Sequence, residues 1–221
     1  MVTGRDSTRQ PLANAAVRCF SRQTFADSEL VIINDGVPLF SGIPSPRVRE
    51  VRISRSDSVT LGDLRNIGLA EARGELVIQW DDDDWHHPRR IEIQVQAWNR
   101  GAAVLLRRQY RYNLLTGAAI IYDLPSGIHG TILHERQVSA KYPSLRKEED
   151  TLFLKQFKER VVVDTTPSLY IRLYHGANTW DQAHVMGQSP QQARLCRPVF
   201  ENAEKEFLAT TIAANYSQRT N

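Results

Sequence analysis

The 221 residues are 41% hydrophobic and 24% charged, the proportions of a soluble globular chain with one comfortable core, which excludes a collagen, a coiled-coil rod and wholesale disorder. The 28 basic residues nearly cancel 25 acidic ones, and a formal charge of +3 does not argue for a nucleic-acid partner. Cys19 and Cys196 make neither a CxxC pair nor a zinc framework, so they read as buried apolar filler.

In chain order, Leu12, Ala16 and Phe20 recur every four residues and predict an amphipathic helix from Arg9 to Arg22. Glu29-Leu30-Val31-Ile32-Ile33 is a buried strand stopped by the turn Asn34-Asp35-Gly36. Pro38, Gly42, Pro44 and Pro46 make a loop, and Val48 to Ser54 alternates like a strand. Leu61 to Arg73 has a helical pattern closed by Gly74. Glu75 to Trp80 is a second apolar strand that runs directly into Asp81-Asp82-Asp83-Asp84. Pro88 suits the first turn of a helix over Arg89 to Asn99. Such alternation predicts an α/β fold with a largely parallel sheet.

Beyond Ala102 the expected elements are shorter. Strands are predicted at Val104-Leu105-Leu106, Ala118 to Tyr122, Thr131-Ile132-Leu133, Val161 to Asp164 and Leu169 to Leu173, with a helix near Glu148 to Phe157. From about Asp181 a Gln/Ser/Pro loop leads to a helix over Phe200 to Ala214, whose Phe200, Ala203, Phe207 and Ile212 are expected to pack on the domain. No repeat or domain boundary is evident. No run approaches the ~20 apolar residues of a membrane span. The first residues hold no apolar signal core, and a reducing cytoplasmic setting is the expectation.

Four consecutive carboxylates are costly unless a cation or hydrogen-bond donors compensate them, because each raises its neighbours' pKa. In open α/β sheets ligands bind beyond the carboxyl ends of the strands. An acidic cluster there suits Mg²⁺ or Mn²⁺ held by one or two carboxylates plus phosphate oxygens. A solvated acidic turn at the start of the next helix is the alternative. An EF-hand fails, because Trp85 and His86 break the loop pattern begun by Asp81, Asp83 and Glu92.

The ordered set of motifs resembles the family-2 glycosyltransferases of GT-A fold. It comprises Asp35-Gly36 after the strand ELVIIN, Arg65-Asn66-Ile67-Gly68, Ala72-Arg73-Gly74-Glu75, Trp80-Asp81-Asp82-Asp83-Asp84 with Pro88, Glu149-Asp150 opening a helix, and Tyr170-Ile171-Arg172 through His175-Gly176-Ala177-Asn178. It covers roughly residues 1 to 180, and residues 181–221 are then a C-terminal loop and helix.

The resemblance implies a single GT-A domain, with a mostly parallel sheet flanked by helices. Its implied activity is inverting transfer of a sugar from a nucleoside-diphosphate donor to a saccharide or lipid-linked acceptor hydroxyl, with Mn²⁺ or Mg²⁺, and with peripheral membrane contact left open. On this resemblance Thr3, Asp35, Arg65 and Asn66 hold the nucleotide; an Asx-turn at Asp35 and a cap or loop brace at Asn66 are the structural alternatives. Asp81 lies near the ribose, Asp82 takes the variable middle position, and Asp83 binds the metal, with Asp84 in support. Asp150 is the base and Glu149 its fallback, although Glu148, Glu149 and Asp150 are also favourable first-turn acids. His175 closes over the diphosphate or the metal; a structural role is the alternative. His86 and His87 are loop residues near the metal, and His129 lies on the acceptor-side floor.

One departure stands out. The family opens with a full apolar strand, whereas this sequence opens at Met1-Val2-Thr3-Gly4-Arg5, which matches only that strand's end. The expectation is a start assigned too late, with about five to eight further Val/Ile-type residues in the natural chain. The competing functions are an inactive GT-A-like binding module and a nucleotidyltransferase.

Overall fold

The computed structural model describes residues 1–4, 9–40 and 45–216. Arg5, Gly42 and Pro44 lie outside them. Strand β1 (Val2–Thr3) leads to helix α1 (Gln10–Ser21), β2 (Leu30–Asn34), β3 (Val48–Arg52) and α2 (Leu61–Glu71). Then come β4 (Leu76–Ile78), β5 (Trp85–His86), α3 (Arg90–Gln96), β6 (Ala103–Leu106), β7 (Arg108–Asn113), β8 (Ala119–Asp123) and β9 (Leu133–Glu135). The chain continues with α4 (Glu149–Leu154), β10 (Arg160–Val163), β11 (Tyr170–Tyr174), α5 (Gln182–Val185), α6 (Pro190–Ala193), β12 (Cys196–Pro198) and α7 (Asn202–Tyr216).

The α/β class holds, and the pairing divides along the chain. β1, β2 and β3 form a wholly parallel sheet in that order, with Val2 opposite Ile33 and Leu30 opposite Val48. The other two sheets are mixed. In the order β10-β6-β9-β4 only β10 and β6 run parallel, and in β12-β8-β7-β11-β5 only β7 and β11 do. The expected largely parallel sheet is therefore confined to the first part. Short connections such as the one from Asn113 to Ala119 can join only antiparallel neighbours, whereas parallel ones need a crossover.

Local chemistry accounts for the helices that frame the sheets. α1 carries Pro11 in its first turn and buries Leu12, Ala16 and Phe20. α2 opens on a capping box: Thr60 Oγ1 accepts from the Asp63 amide at 3.3 Å, and Asp63 Oδ2 accepts from the Thr60 amide at 2.9 Å. Such a cap contributes about 1 kcal/mol. α7 docks on α1 through Leu208, Ile212 and Tyr216 within the main core, but Phe200 and Ala203 are exposed and take no part.

Several elements differ from expectation. β5 and β7 are strands that hydrophobic patterning does not announce, because one face of β7 carries Gln109, Arg111 and Asn113, all buried. Thr131 belongs to a 3-10 turn, so β9 starts only at Leu133. The loop after Asp181 contains α5, α6 and the edge strand β12. Finally, β1 pairs with β2 alone and holds two residues. A gap of about 420 Å³ opens beside it, lined by Leu30, Val31 and Ile33 of β2 and by Leu76, Val77 and Ile78 of β4.

Candidate active site

The acidic turn is fixed from behind by aromatic packing. Trp80 is buried and donates from Nε1 to the Ala16 carbonyl at 3.2 Å, which ties the end of β4's segment to α1. His86 stacks on Trp80, with ring centroids 3.8 Å apart, and its Nε2 meets the Asp81 carbonyl at 3.2 Å. Burial, then the charge of Arg90, push the His86 pKa well down, so its ring stays neutral. His86 is thus a structural brace behind the turn rather than a loop residue facing a metal, and His87 turns toward Trp85.

Each of the four aspartates has its own partner. Asp81 Oδ1 accepts from Arg65 Nη2 at 3.1 Å and from Gln79 Nε2 at 3.2 Å. Asp82 is paired with Arg9, whose Nη2 also lies 3.0 Å from Asp83 Oδ2. Asp83 Oδ2 lies 3.2 Å from His175 Nε2. Asp84 accepts from the Tyr170 hydroxyl and, at 2.8 Å, from the Leu173 amide.

These partners separate the acids electrostatically. Burial works against ionisation of Asp83, yet Arg9, His175 and Arg172 outweigh it and hold its carboxyl well below the usual range. Asp84 goes the other way: burial, then the charges of Asp83 and Asp81, push it well up. Asp82 is raised by burial despite its guanidinium partner Arg9.

The second half of the site arrives on α4. Glu148, just before it, takes φ +64°, the left-handed region, which costs a non-glycine residue of order 1 kcal/mol. That turn sends Glu149 and Asp150 to different places. Glu149 is buried and ion-paired to Arg65 Nε at 3.1 Å; burial raises its pKa and the charge of Arg65 opposes the rise. Asp150 lines the cleft, with Oδ1 on the Thr151 amide at 2.6 Å. Between Asp150 and the acidic turn stands Gly130, where a Cβ would lie 3.4 Å from Asp81 Oδ2 and 3.9 Å from Asp150 Oδ2. His129 lines the cleft beside them, with Nδ1 at 2.8 Å from Thr151 Oγ1.

The four aspartates, Arg9, Arg65, Tyr170, His129 and Asp150 line one cleft of about 610 Å³, within the usual size of a small-molecule site. At its other end the turns after β1 and β2 press together. The Asp35 amide donates to the Thr3 carbonyl at 3.2 Å, and a Cβ on Gly36 would fall 1.8 Å from the Gly4 carbonyl oxygen. Only glycine permits that approach, and it sets Thr3 and Asp35 side by side in the wall.

The structure therefore brings Thr3, Asp35, Arg65, Asp81, Asp82, Asp83 and Asp150 into one cleft wall, with Glu149 behind Arg65. His175 touches this wall through Asp83. Asn66 stands apart: its amide group exchanges hydrogen bonds with the Tyr142 backbone, Nδ2 to the carbonyl at 2.8 Å and Oδ1 from the amide at 2.9 Å, and it does not line the cleft. Arg9 and Tyr170 are cleft residues that sequence reasoning gave no role. An arginine one turn before an apolar helical pattern carries no local signal of an acidic partner 73 residues away.

A divalent cation fits the donor set at Asp83 and His175. Among the described residues no three His, Cys, Asp or Glu side chains converge to hold a metal unaided. Asp83 and His175 offer one oxygen and one nitrogen, and Mg²⁺ or Mn²⁺ commonly completes such a partial set with substrate phosphates.

Residues 9–137 match the model of glycosyl transferase family 2, over more than half of the chain. Two Bacillus subtilis (strain 168) proteins are similar over shorter stretches. One is EpsH, named as a glycosyltransferase, at 33% identity over 32% of this chain and 22% of that protein. The other is the uncharacterized glycosyltransferase YwdF, at 30% identity over 38% of this chain and 32% of that protein. The matched stretch thus spans a third or less of each relative. Among solved structures, S. aureus TarS 1-349 in complex with UDP-GlcNAc superposes with a TM-score of 0.62 at 14% identity, covering 98% of this chain and 72% of TarS 1-349. The same TarS fragment with UDP gives 0.58 at 16% identity, over 100% and 72%. At that identity the likeness is one of fold. On the family-model match over more than half of its length, the chain belongs to glycosyl transferase family 2.

Proposed function

We propose that this chain is a metal-dependent inverting glycosyltransferase that moves a sugar from a nucleoside-diphosphate donor to an acceptor hydroxyl. The observation that carries this reading is the convergence, at one cleft, of an ionised Asp83 beside His175 and a cleft-facing Asp150 that no described cation pairs.

Thr3 and Asp35 hold the nucleoside end and Arg65 orients Asp81 toward it. Bound at Asp83 and His175, Mn²⁺ or Mg²⁺ would supply charge neutralisation for the departing diphosphate. Asp150 takes the proton of the acceptor hydroxyl as that oxygen bonds to the anomeric carbon, and the diphosphate oxygen leaves with the electron pair of the broken bond. Glu149 is held by Arg65 and positions it, which leaves Asp150 as the base.

The proposal extends to a cytoplasmic reaction on a saccharide or lipid-linked acceptor, with peripheral contact at the inner face of a membrane. Among the described residues no helix is long and apolar enough to cross one. A second reading, an inactive binding module of the same fold, draws support from the gap beside β1. Assay of UDP-, GDP- and dTDP-sugars with Mn²⁺ separates the two. Turnover that is lost in Asp83→Ala and Asp150→Asn supports the enzyme. Donor binding without turnover supports the module.

A further inference from the structure

The seat that suits a divalent cation already holds a monovalent one. Asp83 Oδ2 lies 3.2 Å from His175 Nε2 and also 3.0 Å from Arg9 Nη2, and the same guanidinium is paired with Asp82. Arg9 stands immediately before α1, 73 residues ahead of Asp82, and its one side chain bridges two of the four aspartates. Burial opposes its charge, but Asp83 and then Asp82 outweigh that opposition. An arginine keeps its proton at any working pH, so this cation leaves the seat only by moving.

Arg9 and a divalent ion compete for Asp83. A guanidinium and a metal on one carboxylate are like charges in a partly dry cleft, and they repel. Pushing Arg9 out has a second cost, at Asp82. That carboxyl is buried, burial raises its pKa, and the charge of Arg9 is the first to oppose the rise. Metal alone must therefore take one aspartate while stripping the next of its buried partner.

Among the groups around Asp83, Arg9 is the one free to move. Its side chain is 19% exposed and lines the cleft, whereas the His175 side chain is 1% exposed. It caps no amide of α1, so its withdrawal breaks no helix bond. Against burial, Arg9 and then His175 and Arg172 hold Asp83 ionised. The last two act from β11 and the residue just after it, and they remain when Arg9 leaves. A diphosphate gives the released guanidinium a new partner, because its fork matches phosphate oxygens.

We propose that Arg9 is a latch on the metal seat: it bridges Asp82 and Asp83 in the free protein, and it gives up Asp83 to Mn²⁺ or Mg²⁺ when the donor's diphosphate draws it away. The latch rests on the metal-dependent glycosyltransferase reading. It adds that the free protein keeps metal out by its own cation, so that metal and nucleoside diphosphate enter together.

The test is a titration of Mn²⁺ into the full chain, with and without saturating UDP, read by the electron paramagnetic resonance of free Mn²⁺. Arg9→Gln alone leaves Asp82 buried without its partner, so the decisive variant is Arg9→Gln with Asp82→Asn. That double variant removes the bridge as a neutral pair, keeps the net charge of the seat, and is confirmed folded by circular dichroism. The expected result is that it binds Mn²⁺ alone at least about tenfold tighter than the parent chain, and that the gain from UDP shrinks at least about fivefold. Equal binding of Mn²⁺ alone by parent and double variant would overturn the latch. If both then take Mn²⁺ with UDP, the metal reading stands without it. Absence of Mn²⁺ binding in both proteins, with UDP present, would overturn the metal reading and the latch together.

Discussion

Two cavities of this protein differ in their linings. The cleft of about 610 Å³ is walled by the four aspartates, Asp150 and several arginines, whereas the gap of about 420 Å³ beside β1 is walled mainly by Leu30, Ile33, Leu76, Ile78 and Trp80. A polar wall of this kind opposes folding unless its charges are paired or hold a ligand, and an apolar wall opposes it until chain fills the space. The first cavity is therefore read as a place for chemistry and the second as a place for packing. Each half of that contrast can be broken separately.

The largest effect is expected on the polar side. Asp150→Asn keeps shape and removes the proposed base, so sugar transfer should fall by about 10³-fold or more while donor Kd stays within a few-fold. Measured kcat and donor affinity together check this. Next, Arg65→Met cuts the guanidinium that joins Asp81 to the buried Glu149. An uncompensated buried carboxylate should cost about 3 kcal/mol, read by denaturant unfolding, and the double variant with Glu149→Gln should recover much of it.

On the apolar side, extending the chain ahead of Met1 by about five to eight Val/Ile-rich residues should fill the gap. A gain of about 2 to 3 kcal/mol, or roughly 5–10 °C in Tm for a domain of this size, is expected. No gain would show that the gap is not a strand's place. A pH dependence offers a further check. His134 on β9 is buried between Phe153 and Phe157, and burial pushes its pKa down to about 4. The unfolded chain takes up that proton first, near pH 6.5. The stability from a neutral His134 is therefore whole above pH 6.5 and declines by about 3 kcal/mol as pH falls to 4. His134→Leu should flatten that part of the curve in unfolding measured from pH 7 to 4.5.

The same contrast governs what the sequence makes legible. Apolar runs declare themselves, so β2, β4, β6 and the faces of α1 and α2 follow from periodicity, as does the position of Asp81 to Asp84 beyond β4's segment. The polar wall does not declare itself that way. β7 puts Gln109 and Arg111 on a buried face, which looks like surface until the cleft beneath it is seen. Asn66 shows the converse: its position in a motif suggested a ligand, while its amide braces the backbone of Tyr142, 76 residues away. Long-range ion pairs such as Arg9 with Asp82 and Arg65 with Glu149 have no local pattern at all.

The central claim is that Asp150 and the Asp83–His175 pair act together in one displacement at the anomeric carbon. The most direct measurement is the anomeric configuration of the product, read by proton NMR at early times from a UDP-sugar with Mn²⁺. An inverted product, absent in Asp150→Asn and without metal, is the result this account predicts. A product of retained configuration, or full turnover by Asp150→Asn, would contradict it.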